Sequence, residues 1–177
     1  MGLGCVPSTQ DGFLGMVGMH GSYAANMAVQ ECDLLIGVGV RFDDRVIGKV
    51  AAFAPKAKVV HFDVDRAEIN KNVVADYPVV GDLRWSMPIF AHLLQSSGEN
   101  YTARFNIWRN YVIEMNDQYP FAYQKHSEYI MPQELIETVS QLVDDDTVVV
   151  TVGGQQQRWA APFSNSRTPR QFLTSGG

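Results

Sequence analysis

Glycines and charged residues follow an apolar stretch in the first third of the chain, and these residue types suit a nucleotide site. The segment 32–45 reads CDLLIGVGVRFDDR. Gly37 and Gly39 lack a Cβ, so the backbone there can approach a ligand closely. The charged residues that follow are Arg41, Asp43, Asp44 and Arg45. Because open α/β sheets bind ligands at the carboxyl ends of their strands, this loop is predicted to be a ligand edge; a solvated loop is the alternative.

A carboxylate follows the next apolar stretch. The segment 57–65, AKVVHFDVD, ends in Asp63 and Asp65. In dinucleotide-binding folds an acidic residue about 20 positions beyond a glycine turn accepts hydrogen bonds from ribose hydroxyls. The spacing here is slightly longer, and the third glycine of GxGxxG is absent. The GxG pair is weak evidence alone, but with the charged loop and Asp63 it predicts a dinucleotide site.

Two helix starts are further candidates for anion binding. Met19, His20 and Gly21 precede a predicted helix at 22–31, where Ser22 is a suitable N-cap. An ordinary capped helix is an equally good interpretation. A second strand–glycine–helix pattern, TVVVTVGGQQQRW, begins at position 147, and its glutamines either reach a cofactor phosphate or are simply polar helix-start residues.

The elements that must position these residues alternate between strand and helix. Strands are predicted at 32–38, 57–65 and 77–80, and a helix at 83–94. The nearly unbroken apolar strands are typical of a parallel sheet buried on both faces. The predicted fold class is therefore α/β, a doubly wound, Rossmann-like parallel sheet followed by the first part of a second α/β domain.

Composition breaks divide the chain into three predicted parts. Residues 1–95 form the nucleotide domain, 96–130 a linker with a helix, and 131–177 the start of the second domain. The first residues are a glycine-rich turn, and the last, 174–177, are a turn with nothing after it. We therefore expect the chain to be a piece of a longer protein.

Composition excludes several classes of function. The 177 residues carry a net charge of −5 without any basic cluster, so we expect no nucleic-acid partner. No apolar run reaches the length of a membrane span, and the first residues lack the charged start and apolar stretch of a signal peptide, so neither is expected. Cys5 and Cys32 do not suggest a disulfide framework, which favours a reducing compartment. The four histidines are scattered, so no metal site is expected.

Several blocks together resemble the large catalytic subunit of acetolactate synthase (acetohydroxyacid synthase), a thiamine-diphosphate-dependent enzyme. They are MGLG at the start, LGMVGMHGSYAAN from 14, CDLLIGVGVRFDDRVIGK from 32, KVVHFDVDRAEINKN from 58, VGD from 80 and QQQRWAAPF from 155. The resemblance covers essentially the whole chain, and the GMHG and RFDDR blocks are its specific part.

The resemblance implies a fold, a reaction and a set of cofactors. Such enzymes have three α/β domains, and this chain resembles most of the central FAD-binding domain and the opening of the pyrophosphate-binding domain. They join two 2-oxo acids, pyruvate with pyruvate or 2-oxobutyrate, with loss of CO2, on the way to branched-chain amino acids. They use thiamine diphosphate, Mg²⁺ and an FAD that takes no net redox part. Homodimers or homotetramers, a regulatory small subunit, and a cytoplasmic location (plastid or mitochondrion in a eukaryote) are also implied.

The resemblance also assigns residues. The implied FAD contacts are Met19, His20, Gly21, Gly39, Arg41, Asp43, Arg45, Asp63, Val64, Gly81 and Asp82. The implied thiamine diphosphate contacts are Gly154, Gln155 and Gln156. The catalytic glutamate and the magnesium motif of the family are expected outside these 177 residues, so no catalytic or metal-binding residue is predicted here, and the chain alone is expected to be inactive.

Departures from the family pattern keep alternatives open. The family reads VGQHQMW where this chain has GGQQQRW from Gly153. Gln156 replaces a histidine and cannot titrate near neutral pH, while Arg158 replaces a methionine and adds a charge. The alternatives are another thiamine-dependent carboligase or decarboxylase, and a non-catalytic nucleotide-binding module or an NAD-dependent enzyme with a similar sheet.

Overall fold

A computed structural model describes residues 2–174 as helices and short parallel sheets. Residues 175–177 of the predicted terminal turn lie outside the described residues. The helices are α1 (Tyr23–Glu31), α2 (Asp44–Ile47), α3 (Leu83–Ser96), α4 (Tyr101–Arg104), α5 (Asn106–Gln118), α6 (Pro132–Leu142) and α7 (Gln155–Phe163), with a 3-10 turn at Val50–Ala52. The strands are β1 (Leu34–Val38), β2 (Lys58–Asp63), β3 (Tyr77–Val80), β4 (Val149–Thr151) and β5 (Phe172–Thr174). No helix in residues 2–174 is long and apolar enough to cross a membrane.

The chain forms two compact units. One comprises residues 26–111, and the other comprises residues 1–25 together with 112–177. The strands of each unit form a parallel sheet, β1-β2-β3 in the first and β4-β5 in the second. The predicted α/β class with parallel sheets is confirmed. The predicted domains 1–95, 96–130 and 131–177 follow different boundaries from these units and stay a prediction.

The core of the unit 26–111 lies on one face of its sheet. It is formed by Phe42, Ile47, Val59 and Ala75, which are all buried. Phe42 and Ile47 come from the β1–β2 connection, so this crossover folds back over the strands that it joins. The core therefore depends on the segment that carries the predicted charged loop.

The opposite face of the same sheet is only partly covered. Helix α3 packs on β2 through Phe90, whose ring centroid lies 5.3 Å from that of Phe62. Leu34, Ile36 and Val38 of β1 lie on this face and are exposed. The prediction that β1 is buried on both faces is therefore wrong, because side chains alternate along a strand and α3 covers β2 instead.

Gly37 is required by packing within the core rather than by a ligand. A Cβ on Gly37 would lie 2.8 Å from Cζ of Phe42 and 2.8 Å from Cγ1 of Val40. Phe42 is buried and cannot move away freely. Of the two glycines in the GxG pair, only Gly39 is therefore left to face a ligand.

The second unit joins segments that are distant in sequence. The Arg170 amide donates to the Gly4 carbonyl at 2.7 Å, and the Ser8 amide donates to the Ser166 carbonyl at 2.8 Å. A Cβ on Gly4 would collide with the Phe172 carbonyl, so the glycine-rich start packs directly against β5. The expectation that this loop lies close against another segment agrees with these contacts.

A tyrosine–glutamate pair fastens the segment before α6. The Tyr123 hydroxyl donates to Oε2 of Glu137 at 2.6 Å, and this bond raises the pKa of Tyr123 to about 12. Its ring packs edge-on against Phe163 of α7 at 5.5 Å. This part of the predicted linker 96–130 is thus tied to both α6 and α7.

The sheet of the second unit is exposed on one face. Val150 and Leu173, which face each other in register, are both exposed, as are Val148 and Val152. The apolar strand of the strand–glycine–helix pattern from position 147 is therefore not buried on this face. On the alternate face of β4, Thr151 is buried and Val149 is partly buried.

We expect Gly37→Ala to destabilise the protein by about 1–3 kcal/mol, because the added methyl group overpacks a closed core. The measurement is urea unfolding, monitored by the fluorescence of Trp85 and Trp108 in the unit 26–111. Gly81→Ala is the matched control, since it is also a strand-end glycine and nothing lies within 4 Å of its added Cβ. Equal stability of the two variants would contradict the packing role of Gly37.

Candidate functional site

The carboxyl ends of β1, β2 and β3 form one continuous edge. The Gly39 amide donates to the Phe62 carbonyl at 2.8 Å, and the Gly81 amide donates to the Asp63 carbonyl at 2.9 Å. These bonds continue the parallel ladder by one step beyond β1 and β3. They bring three separately predicted residues, Gly39, Asp63 and Gly81, side by side at the edge where α/β sheets bind ligands.

Gly39 turns the chain out of the sheet. Its φ of +61° is left-handed, which glycine adopts at little cost. A Cβ there would lie 3.3 Å from Cδ1 of Leu83, the first residue of α3. The 14-residue helix α3 therefore begins beside this turn, and its amino end contributes partial positive charge to the edge.

Arg41 is an exposed cation of the loop. Its side chain is 61% exposed, and Nη2 lies 3.3 Å from Oδ2 of Asp43. Oδ1 of Asp43 accepts from the Val46 amide at 3.2 Å and caps the short helix α2. Asp43 thus has a structural partner on each oxygen. Arg45 is exposed and makes no ion pair within residues 2–174 in the contacts that the structure shows.

Asp63 is mostly buried although it ends a strand. Its Oδ1 accepts from the Asp65 amide at 2.8 Å, which fixes the carboxylate against the turn after β2. The neighbouring Val64 is exposed. One carboxylate oxygen of Asp63 is therefore committed to the backbone, and the turn presents Val64 outward.

Asp82 caps α3. Its Oδ1 accepts from the Arg84 amide at 2.8 Å, and its Oδ2 lies 3.0 Å from Nη2 of Arg84. The hydrogen bond from the Arg84 backbone amide lowers the pKa of the Asp82 carboxyl most, and the hydrogen bonds from the Arg84 side chain lower it further. The contacts of Asp82 are therefore those of a helix N-cap, and both of its carboxylate oxygens have partners within the chain.

Met19, His20 and Gly21 belong to the second unit. A Cβ on Gly21 would come within 2.8 Å of the Val17 backbone, so a tight turn requires glycine here. His20 lines a cavity of about 300 Å³ whose polar lining includes Asn116 and Glu137. Met19 is exposed.

Ser22 caps α1 as predicted. Its Oγ accepts from the Ala25 amide at 3.0 Å and donates to the Leu14 carbonyl at 2.5 Å. The hydroxyl therefore joins the first turn of the helix to the loop before it. Since Ser22 already satisfies one amide at this end, the capped-helix interpretation is confirmed for this position, and anion binding there stays a prediction.

A second edge lies at the ends of β4 and β5. Gly154 has a φ of +148° and precedes α7, which has no side-chain cap. The Gln156 amide group donates to the Val152 carbonyl at 3.2 Å, so this side chain folds back over the helix start. Gln155 is exposed at the same turn.

The hydroxyl groups of this second edge were not predicted from the sequence. The Thr151 hydroxyl donates to Oγ1 of Thr174 at 2.9 Å, and Nε2 of Gln157 donates to the same oxygen at 2.5 Å. A threonine at the end of an apolar strand was the available signal. Because these strands are parallel, both hydroxyls meet at the edge that the glycine turn also borders.

No group of three or more His, Cys, Asp or Glu side chains in residues 2–174 is arranged to hold a metal ion. The two cysteines are free thiols, and burial raises the pKa of Cys32.

Comparison with known families identifies the chain. The family described as thiamine pyrophosphate enzyme, central domain, matches residues 1–89, half of the sequence. This chain belongs to that family. The central domain of such enzymes is a Rossmann-like α/β fold, in agreement with the parallel sheet β1-β2-β3.

Relatives align with the chain from end to end. It is 42% identical to acetolactate synthase, chloroplastic, from Arabidopsis thaliana, over 100% of this chain and 26% of the relative. It is 41% identical to acetolactate synthase 1, chloroplastic, from Oryza sativa subsp. japonica, over 100% of this chain and 28% of the relative. It is 41% identical to the acetolactate synthase large subunit of Lactococcus lactis subsp. lactis, over 100% of this chain and 30% of the relative. The chain thus spans less than a third of the length of these curated relatives.

The capping geometry predicts how Asp82 titrates. Its lowered folded pKa means that its contribution to stability is present above the pKa of the unfolded chain and is lost as the pH falls through the folded pKa. Carbon NMR of the carboxyl group should give a midpoint below the ordinary aspartate range. Arg84→Ala should raise this midpoint only part of the way, because the backbone amide of residue 84 still donates. A midpoint in the ordinary range in the unsubstituted protein would contradict the cap.

Proposed function

We propose that this chain is part of an acetolactate synthase large subunit that condenses pyruvate with pyruvate or 2-oxobutyrate, releasing CO2, in branched-chain amino-acid synthesis. The observation that carries the proposal is the row of Gly39, Asp63 and Gly81 at one sheet edge. These three residues come from separate blocks that all resemble acetolactate synthase. The names of the relatives support the same reaction.

The nucleotide at this edge is proposed to be FAD. Arg41 is exposed and charged, so it suits a phosphate. Gly39 lets the backbone approach the dinucleotide, and Asp63 faces the same edge with one oxygen still available to a ribose hydroxyl. The remaining proposed FAD contacts are Met19, His20, Gly21, Asp43, Arg45, Val64, Gly81 and Asp82. The contacts within the chain fit this assignment best at Gly39 and Arg41, since Asp43 and Asp82 already have structural partners.

Thiamine diphosphate is proposed to lie against the second edge, at Gly154, Gln155 and Gln156. When bound, it supplies the electron sink for the loss of CO2 from a 2-oxo acid. The uncapped start of the nine-residue helix α7 offers backbone amides to its diphosphate. The residues that would hold Mg²⁺ at the diphosphate are proposed to lie outside these 177 residues.

The assembly and location are proposed from the same family. We propose homodimers or homotetramers of the full-length protein, with a regulatory small subunit as a further partner. The compartment is the cytoplasm, or a plastid or mitochondrion in a eukaryote; several relatives are named chloroplastic.

A different thiamine-dependent carboligase or decarboxylase is the second candidate. Gln156 and Arg158 stand where the acetolactate synthase pattern has histidine and methionine. Arg158 is exposed in the first turn of α7, beside the proposed diphosphate site. The positive charge of Arg158, where the acetolactate synthase pattern has a methionine, favours an acceptor substrate other than pyruvate or 2-oxobutyrate.

Flavin fluorescence tests the nucleotide site. Titrating FAD with the 177-residue chain should show saturable binding that Arg41→Ala weakens by about 10-fold or more, the usual cost of a lost charge-assisted hydrogen bond. Arg104→Ala is the matched control, because Arg104 belongs to the same unit and its side chain is also 61% exposed. Equal loss in both variants, or no binding by a folded chain, would count against the FAD assignment.

Acetolactate formation tests whether the 177-residue chain is inactive by itself. We expect none from the purified chain with pyruvate, thiamine diphosphate and Mg²⁺, because the implied catalytic glutamate and magnesium motif do not occur in these residues. The assay detects acetolactate colorimetrically, with a mock purification from the same host as control. Product above that control would show that the chain itself holds the catalytic groups.

A further inference from the structure

His61 is buried in the centre of the sheet although its side chain is polar. Its exposure is 0%, the lowest of any large side chain among the described residues. Nε2 lies 2.7 Å from the Val40 carbonyl oxygen. Since a carbonyl only accepts, Nε2 carries the hydrogen. Oδ2 of Asp63 is 3.9 Å from the same nitrogen, too far for a hydrogen bond.

The other ring nitrogen of His61 destabilises the folded state, because it is removed from water without gaining a hydrogen bond. Nδ1 is buried and has no hydrogen-bond partner within residues 2–174. An apolar side chain of similar shape would avoid that cost. The contact that distinguishes histidine from such a side chain is therefore the bond to Val40.

The loop that Val40 opens is held at a second point. The Phe42 carbonyl accepts from Nδ2 of Asn72 at 2.9 Å. Phe42 has a φ of +46°, a strained backbone conformation for a side chain of this size. Its ring is buried and meets the His61 ring edge-on, with centroids 4.9 Å apart. His61 thus holds this loop through both a hydrogen bond and a ring contact.

Arg41 lies between the two carbonyls that are held. Its own side chain is exposed, and Asp43 is the partner that orients it among residues 2–174. We infer that His61 is a positioning residue: by bonding the Val40 carbonyl it sets the backbone from which Arg41 reaches a nucleotide phosphate. It acts through Val40, because a fully buried ring cannot touch the ligand. This inference rests on the proposed nucleotide site.

Two variants separate the hydrogen bond from simple filling of space. His61→Gln places an amide nitrogen the same number of bonds from the backbone as Nε2, whereas His61→Met places a methyl group there. FAD titration of the 177-residue chain should show about five- to tenfold weaker binding in His61→Met, the scale of one lost hydrogen bond. His61→Gln should recover to within about twofold. Equal affinities of the two variants, with binding intact in the unsubstituted chain, would overturn the inference.

A spectroscopic measurement without FAD keeps the two proposals distinguishable. The Val40 carbonyl carbon and the Arg41 amide nitrogen share one peptide group, so their NMR shifts report the hydrogen bond directly. Both should move in His61→Met and return in His61→Gln. If the unsubstituted chain does not bind FAD while these shifts behave as expected, the nucleotide site fails and the positioning of the loop stands.

The unsubstituted protein supplies a test that does not depend on a variant folding. Long-range proton–nitrogen spectra of the His61 ring should show the hydrogen on Nε2 and none on Nδ1. A hydrogen on Nδ1 alone would mean that the ring does not donate to Val40, and the inference would be wrong.

Discussion

The parallel register of β1, β2 and β3 is the constraint on which the candidate site depends. In a parallel sheet all strands end at the same edge, so residues far apart in sequence meet there. The ladder continues through the Gly39 and Gly81 amides, which bond to Phe62 and Asp63. A slip by one residue would turn every side chain of a strand to the other face and break up this row.

Burial and binding compete for the same loop in this structure. Phe42 leaves the edge to complete the core, whereas Arg41 beside it stays exposed. Phe42 has a φ of +46°, so the chain turns at the residue that follows Arg41, and the two neighbours take opposite roles. The strained backbone of Phe42 is stabilised by the burial of its ring, so the core on one face of the sheet maintains the geometry of the edge.

The second unit also has a parallel sheet whose strands end at a shared edge, but the polar groups at that edge are different. Its short parallel pair β4-β5 ends in threonine hydroxyls and a glycine turn that opens α7. There are no arginines among these hydrogen-bonded groups, and the helix start has no side-chain cap. Amides and hydroxyls form these contacts, and the charged Arg158 lies exposed in the first turn of α7.

The sequence by itself determined the α/β class, the positions of the strands and helices, and the Ser22 cap, because periodicity and capping are local properties that neighbouring residues decide. It also placed Gly39 and Arg41 beyond the end of one strand and Asp63 at the end of the next, where the edge rule applies. Only the tertiary structure decided that Phe42 fills the space at Gly37 and that His61 holds Val40, a contact across 21 positions. Which faces of β1 and β4 stay exposed was equally beyond prediction, since it depends on where helices pack after the chain has folded.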